Sequence, residues 1–239
     1  MSREKKKRFE LTRFIAEAGL KLKLPCVAIA TATTLYHRFG SSSSDADEYD
    51  QHLVSAACLY LASKIDESPV KVRDVVNVCY RCLHKNEPSL EVGSLFWKLR
   101  DSVVTCEFVI LRTLAFQVSV DHPHTYLLHY LKVMSDWISP DVWKSVPLTS
   151  LCWSLLNDSC HTDLCLHFSG EQVAVALLYM ALQSFQIDVP SQSTNKKWWK
   201  VLCSSCDMKS IEVVCTEMLD LYNLDTALER ATTSRTRSA

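Results

Sequence analysis

Few side chains in this sequence have the type and spacing that chemistry requires. Cys79/Cys82 and Cys203/Cys206 form two C-x-x-C pairs, and four thiolates in tetrahedral array would hold zinc. The pairs stand too far apart in sequence for a compact finger, so core or surface thiols are expected rather than a metal site. No βαβ pattern surrounds either pair, which removes the usual setting for dithiol redox work. Asp45-Ala-Asp-Glu-Tyr-Asp50 has the acidic spacing of a calcium loop. Its sixth position, however, is Asp50 where the turn needs glycine, and no acid follows at the twelfth. Cys160 adjoins His161, but consecutive helical side chains do not face one another, which disfavours a nucleophile and base. His122-Pro-His124 reads as the opening of a helix, and Trp153, Trp198 and Trp199 as core or groove walls. The patterns G-x-S-x-G, G-x-x-x-x-G-K-[ST], H-E-x-x-H and G-x-G-x-x-G are missing, so neither catalysis nor a cofactor is expected.

Two single charges are more informative. Glu107 has Val103 and Val104 at i−4 and i−3 and Ile110 and Leu111 at i+3 and i+4, so no base on its own helix can pair with it. Lys64 follows Tyr60-Leu61, and its only local acid is Glu67. Two readings stay open at this point. Lys64 either snorkels from an apolar stripe, or it meets Glu107 across two helices on a surface that receives a partner.

The elements that must position these charges are helical. Apolar spacing near 3.6 residues recurs throughout, and sustained alternation does not. Ten helices are expected: Arg8–Leu20, Pro25–Phe39, Tyr49–Asp66, Lys71–Arg81 and Leu90–Leu114, then one opening at Pro123, and others over Pro147–Cys160, Ser169–Ile187, Lys196–Cys203 and Asp207–Asn223. The fifth carries a core stripe of Val92, Phe96, Leu99, Val103, Cys106, Ile110 and Leu114. Two fivefold runs point to a duplication, and Val54-Ser-Ala-Ala-Cys-Leu-Tyr-Leu-Ala62 aligns without a gap on Val173-Ala-Val-Ala-Leu-Leu-Tyr-Met-Ala181. In that alignment Gln183 replaces Lys64, so only the first repeat would carry the charged surface. The domains expected are a basic segment 1–7, bundles 8–119 and 120–224, and a frayed tail 225–239.

Composition agrees with this class. A chain of 239 residues holds one or two domains, and 48% hydrophobic with 22% charged residues is globular usage. Four glycines are too few for many tight hairpins or a phosphate-cradling loop. The longest apolar run, Val173–Leu182, is too short for a membrane span, and no signal peptide opens the chain. A soluble intracellular protein, in nucleus or cytoplasm, with reduced cysteines is expected. Residues 1–8 carry five bases and one acid, and residues 225–239 three bases and two acids, so the body between holds −6 of a net −1. A nucleic-acid reader shows the opposite, a basic folded face. Protein partners are therefore expected, with neither a membrane nor direct nucleic-acid contact. Lys5-Lys-Lys-Arg8 is either an import signal or a solvated first turn whose cations oppose the helix dipole.

The residues around the two charges resemble those of cyclins. Leu61-Ala-Ser-Lys-Ile-Asp-Glu67 is similar to the end of the third cyclin-box helix, and Glu107-Phe-Val-Ile-Leu-Arg-Thr-Leu-Ala-Phe-Gln-Val118 to the fifth. Asp121-His-Pro-His-Thr-Tyr-Leu-Leu-His-Tyr130 resembles the start of the second box in transcription-type cyclins, and further matches lie at Arg13–Leu22, Phe96–Ser102 and Trp198-Trp-Lys200. The resemblance implies an all-α fold of two tandem five-helix cyclin boxes over residues 8 to 224. It also implies a non-catalytic subunit that activates a cyclin-dependent protein kinase as its heterodimer partner. Lys64 and Glu107 match the pair that meets the kinase. Leu61, Ile65, Leu111 and Phe116 would supply apolar contact, and Glu67 is counted among the kinase-binding residues. Where cell-cycle cyclins dock substrates through Met-Arg-Ala-Ile-Leu, this sequence has Lys6-Lys-Arg-Phe-Glu10, so that patch is not expected, nor is an added gripping helix before the first box. A cyclin-fold transcription adaptor that binds DNA and a zinc-dependent enzyme or sensor are the alternatives.

Overall fold

The computed structural model describes residues 3–42, 48–189 and 197–237. Every regular element among them is a helix, and the chain divides into two compact units, 1–120 and 121–239.

The first unit holds α1 (Arg3–Lys21), α2 (Cys26–Ser42), α3 (Gln51–Ile65), α4 (Val72–Leu83) and α5 (Ser94–Thr113). α3 packs against all four of the others. Its small residues Ser55, Ala56, Ala57, Ala62 and Ser63 are buried, which lets neighbouring helices approach its backbone. Asp50 starts it: the carboxylate accepts from His52 N–H at 2.9 Å and Leu53 N–H at 3.4 Å, a cap that typically contributes about 1 kcal/mol. Gly19 marks a second close approach, since a Cβ there would stand 2.6 Å from Ile29 Cγ1 on α2.

α1 begins at Arg3, so the basic segment expected to precede it is its first turns. Arg8–Glu4 and Lys6–Glu10 pairs at 3.4 and 3.8 Å bridge successive turns there. Val92 departs from the expected stripe: it lies before α5 and is 74% exposed. Phe96, Val103, Cys106, Ile110 and Leu114 are buried as expected, and Leu99 packs against them.

The second unit holds α6 (Pro123–Trp137), α7 (Pro140–Ser145), α8 (Leu148–Ser159), α9 (Leu164–His167), α10 (Gly170–Ser184), α11 (Trp198–Leu202) and α12 (Met208–Arg237). α10 is its central helix, opened by a capping box between Ser169 and Gln172 and in contact with α6, α8 and α12. The shift that sets Val54 on Val173 also sets α3, Gln51–Ile65, on α10, Gly170–Ser184. α7 and α9 were not expected; each is too short to show a period. α12 continues to Arg237 through the stretch for which a frayed tail is expected. No Gly or Pro lies in Met208–Arg237 to stop it.

Candidate functional site

The two charges singled out in the sequence meet. Lys64 Nζ on the last turn of α3 lies 2.7 Å from Glu107 Oε1 and 2.8 Å from Oε2 on α5. Glu107 is 5% exposed, whereas the Lys64 side chain keeps 41% of its surface open. Tyr60, one turn earlier on α3, brings its ring to 3.9 Å from the same nitrogen, a cation–π contact. Burial works against the Lys64 charge, but hydrogen bonding and attraction from Glu107 outweigh it and hold its pKa above the ordinary lysine value. A buried carboxylate satisfied by one half-exposed ammonium is a rigid, near-neutral centre on an open face.

The other expected site residues are distributed unevenly. Ile65 and Leu111 are half-buried, packed against the core yet open on one side. Glu67 is exposed, and Phe116 is 69% exposed. Leu61 is different: it is 4% exposed and belongs to the core. The reason is that α3 is surrounded on nearly every side, so an apolar residue beside Lys64 still points inward. Sequence reasoning missed Phe108, 64% exposed on α5 directly after Glu107; it lies off the core stripe, which was the available signal. Tyr60 was seen only as apolar, not as the ring under Lys64.

The remaining candidates form no second site. Cys79 and Cys82 are buried in the first unit, Cys203 and Cys206 in the second. Burial pushes the Cys79 thiol up to about 12 and the Cys206 thiol up to about 11, which disfavours the thiolate that metal or redox chemistry uses. Among the described residues no group of three or more His, Cys, Asp or Glu is placed to hold a metal ion. In the acidic run, residues 45–47 lie outside the described residues. Trp199 makes edge contacts with Tyr179 and Trp198 at 5.6 and 5.7 Å, and both tryptophans are half-buried. No helix among the described residues is long and apolar enough to cross a membrane.

Comparison with known proteins bears on the first unit as a whole. Residues 1–119 match the family profile "Cyclin, N-terminal domain". This half of the chain is a cyclin N-terminal domain. The Lys64–Glu107 pair thus ties the third helix of a cyclin domain to its fifth. Mouse Cyclin-L2 is 34% identical over 212 residues, covering 87% of this chain and 39% of that protein. Cyclin-K of Danio rerio is 30% identical over 223 residues, covering 92% of this chain and 50% of that protein. The chain therefore spans half or less of the length of these relatives. A chain in the crystal structure of the yeast RNA Pol II CTD kinase CTDK-1 complex shares the fold, with a TM-score of 0.72 and 19% identity over 92% of this chain and 66% of that one. The expected all-α class of tandem cyclin-type bundles agrees with these likenesses. Cyclins are regulatory subunits rather than catalysts, which agrees with the expectation of a chain that is not an enzyme.

Proposed function

We propose that this chain is the regulatory subunit of a cyclin-dependent protein kinase and activates it by holding the kinase's mobile helix inward. A kinase transfers phosphate only when its strand lysine pairs with a glutamate on that helix. A surface that binds the inward position better shifts the population toward it, and moving an equilibrium from 1:99 to 99:1 takes about 5.5 kcal/mol of differential binding. The observation that carries the reading is the Lys64–Glu107 pair, buried at its acid and open at its base. Ile65, Glu67, Leu111 and Phe116 surround it as the contact residues, while Leu61 supports them from beneath.

The finer assignment belongs to the same proposal. Arg13-Phe-Ile-Ala-Glu-Ala-Gly-Leu-Lys-Leu22, Phe96-Trp-Lys-Leu-Arg-Asp-Ser102 and Trp198-Trp-Lys200 resemble cyclin-Q, whose family partner is cyclin-dependent kinase ten. Residues 8–119 and 120–224 would be its two cyclin boxes, supported by the constant shift between α3 and α10. A nuclear complex is the corresponding location. Membership of a kinase complex is also what the yeast structure's name states for its own chains.

The test is co-purification from native extract, read by mass spectrometry, with wild-type chain, Lys64→Ala and Glu107→Ala. The reading expects a cyclin-dependent kinase with the wild type and its loss with both variants, at an unchanged helical circular-dichroism spectrum. Normal kinase capture and activation by both variants would refute the site, and a DNA-bound assembly in place of a kinase would refute the function.

A further inference from the structure

Phe108 is 64% exposed and follows Glu107 on α5. Successive residues of a helix turn by about 100°. Measured from Glu107, Leu111 and Val104 then lie about 40° and 60° round the helix on one side, with Phe108 at about 100°; Val103, Ile110 and Cys106 lie on the other. Burial follows this order: Val103, Ile110 and Cys106 are buried, Val104 and Leu111 half-buried, Phe108 open. Glu107 thus sits on a boundary, and an apolar ridge rises from it into solvent.

The ridge continues past the helix end. Ala115 and Phe116 have φ of 49° and 60°, a left-handed pair that bulky side chains rarely adopt. Phe116 N–H donates to the Leu111 carbonyl at 2.8 Å and Ala115 N–H to the Arg112 carbonyl at 3.1 Å. These bonds fold the turn back onto Leu111 and leave the Phe116 ring outside. The same closing bond ends α3 and α10, from Ser68 to Ser63 and from Ile187 to Leu182, so this is helix-end geometry whose effect here is to set the Phe116 ring outside. Lys64 Nζ bonds both Glu107 oxygens and faces the Tyr60 ring, so the charged centre is fixed in place and the ridge beside it adds apolar surface.

We infer that Phe108 is a contact and specificity residue of this surface, taking an apolar side chain from the kinase's mobile helix and rejecting a kinase that presents a charged one there. The inference rests on the reading that this face receives a cyclin-dependent kinase. Continuity commits the ridge to that occupant: Phe108 follows Glu107 directly, Phe108 and Leu111 share a face at i and i+3, and the Leu111 carbonyl holds the Phe116 amide. A charge pressed against the Phe108 ring would lose water and gain no partner, which is how such a position discriminates.

The test titrates the full chain into purified cyclin-dependent kinase ten by calorimetry and records each variant's thermal midpoint. The set is wild type, Phe108→Ala, Phe108→Leu, Phe108→Glu, Lys64→Ala and Leu219→Ala, the last a 54% exposed residue of the second unit. Phe108→Ala is expected to weaken binding about 10- to 100-fold, as truncation of an aromatic hot spot does. Phe108→Leu should stay within about threefold of wild type, as an apolar replacement keeps the contact. Phe108→Glu should abolish binding, and Leu219→Ala should change nothing. Thermal midpoints should not move for any Phe108 variant. Wild-type affinity in Phe108→Ala while Lys64→Ala has lost binding overturns the inference and leaves the kinase reading intact. A loss that tracks a lowered midpoint assigns Phe108 to folding and also overturns it. A wild-type chain that does not bind this kinase overturns the inference together with the assignment of that kinase.

Discussion

Glu67 and Gln186 hold the same backbone position at the ends of two central helices, α3 and α10, with φ of 51° and 53°. Behind each, the following amide closes the helix in the same way, Ser68 N–H to Ser63 carbonyl at 2.9 Å and Ile187 N–H to Leu182 carbonyl at 3.0 Å. This closure normally favours glycine. The two units share the turn and differ in the charges beside it, Lys64 in one and Gln183 in the other.

The shared strain gives the first prediction. Gln186→Gly removes a side chain from a left-handed residue and should raise stability by about 0.5–1 kcal/mol, with kinase binding unchanged. Glu67→Gly should stabilise similarly but weaken kinase binding if Glu67 touches the partner. Thermal melts and a binding titration on the same samples separate the two effects.

The ion pair gives the second. Lys64→Ala leaves the Glu107 carboxylate buried without its cation and should cost about 1–3 kcal/mol of stability. The double variant Lys64→Met with Glu107→Leu removes both charges and should recover most of that loss, because apolar replacement of a buried pair is often neutral. It should nevertheless fail to activate the kinase. Urea titration and a kinase assay read the two halves; a double variant as active as wild type would show that the charges serve folding alone.

His124 gives a pH dependence. Burial, and then its neighbour His122, push the pKa of this 3% exposed residue down from 6.5 to about 4; its ring lies edge-on to Trp153 at 5.4 Å. The folded chain therefore binds this proton less readily than the unfolded chain. Its contribution to stability is complete above pH 6.5, falls as pH drops from 6.5 toward 4, and stays lost below that. His124→Phe should flatten the slope in that window, measured as denaturation midpoint against pH.

The cysteines give a fourth. Cys26 and Cys165 are exposed, whereas Cys58, Cys79, Cys82, Cys106, Cys152, Cys203 and Cys206 are buried. A thiol-specific reagent at neutral pH should label the first two quickly and the buried set only on unfolding. Metal analysis of the purified protein should find substoichiometric zinc. One zinc per chain, lost on labelling, would reverse the reading of the C-x-x-C pairs.

Much of the architecture was legible before the coordinates. The α5 stripe from Phe96 to Leu114 and the alanine-rich α3 and α10 declare helices because period and composition are local properties. The Lys64–Glu107 contact was legible in a weaker sense: an acid with no base within a turn demands a partner from another element. Leu61 was not legible, and Phe108 only through its place off the core stripe. Both are apolar residues beside a charge, yet one is enclosed by neighbouring helices and the other has none above it. The sequence also hid α7 and α9, which span too few residues for a period to appear.

Composition and periodicity alone determined an all-helical chain built twice on one plan, with a lone base and a lone acid in its first half. Only the tertiary structure decided that these two share bonds of 2.7 and 2.8 Å and that Phe108 stands open beside them. Side-chain period fixes which residues of a helix lie on one face, but the rotation of α3 against α5 is set by packing. Residues 43 positions apart meet or miss according to that rotation.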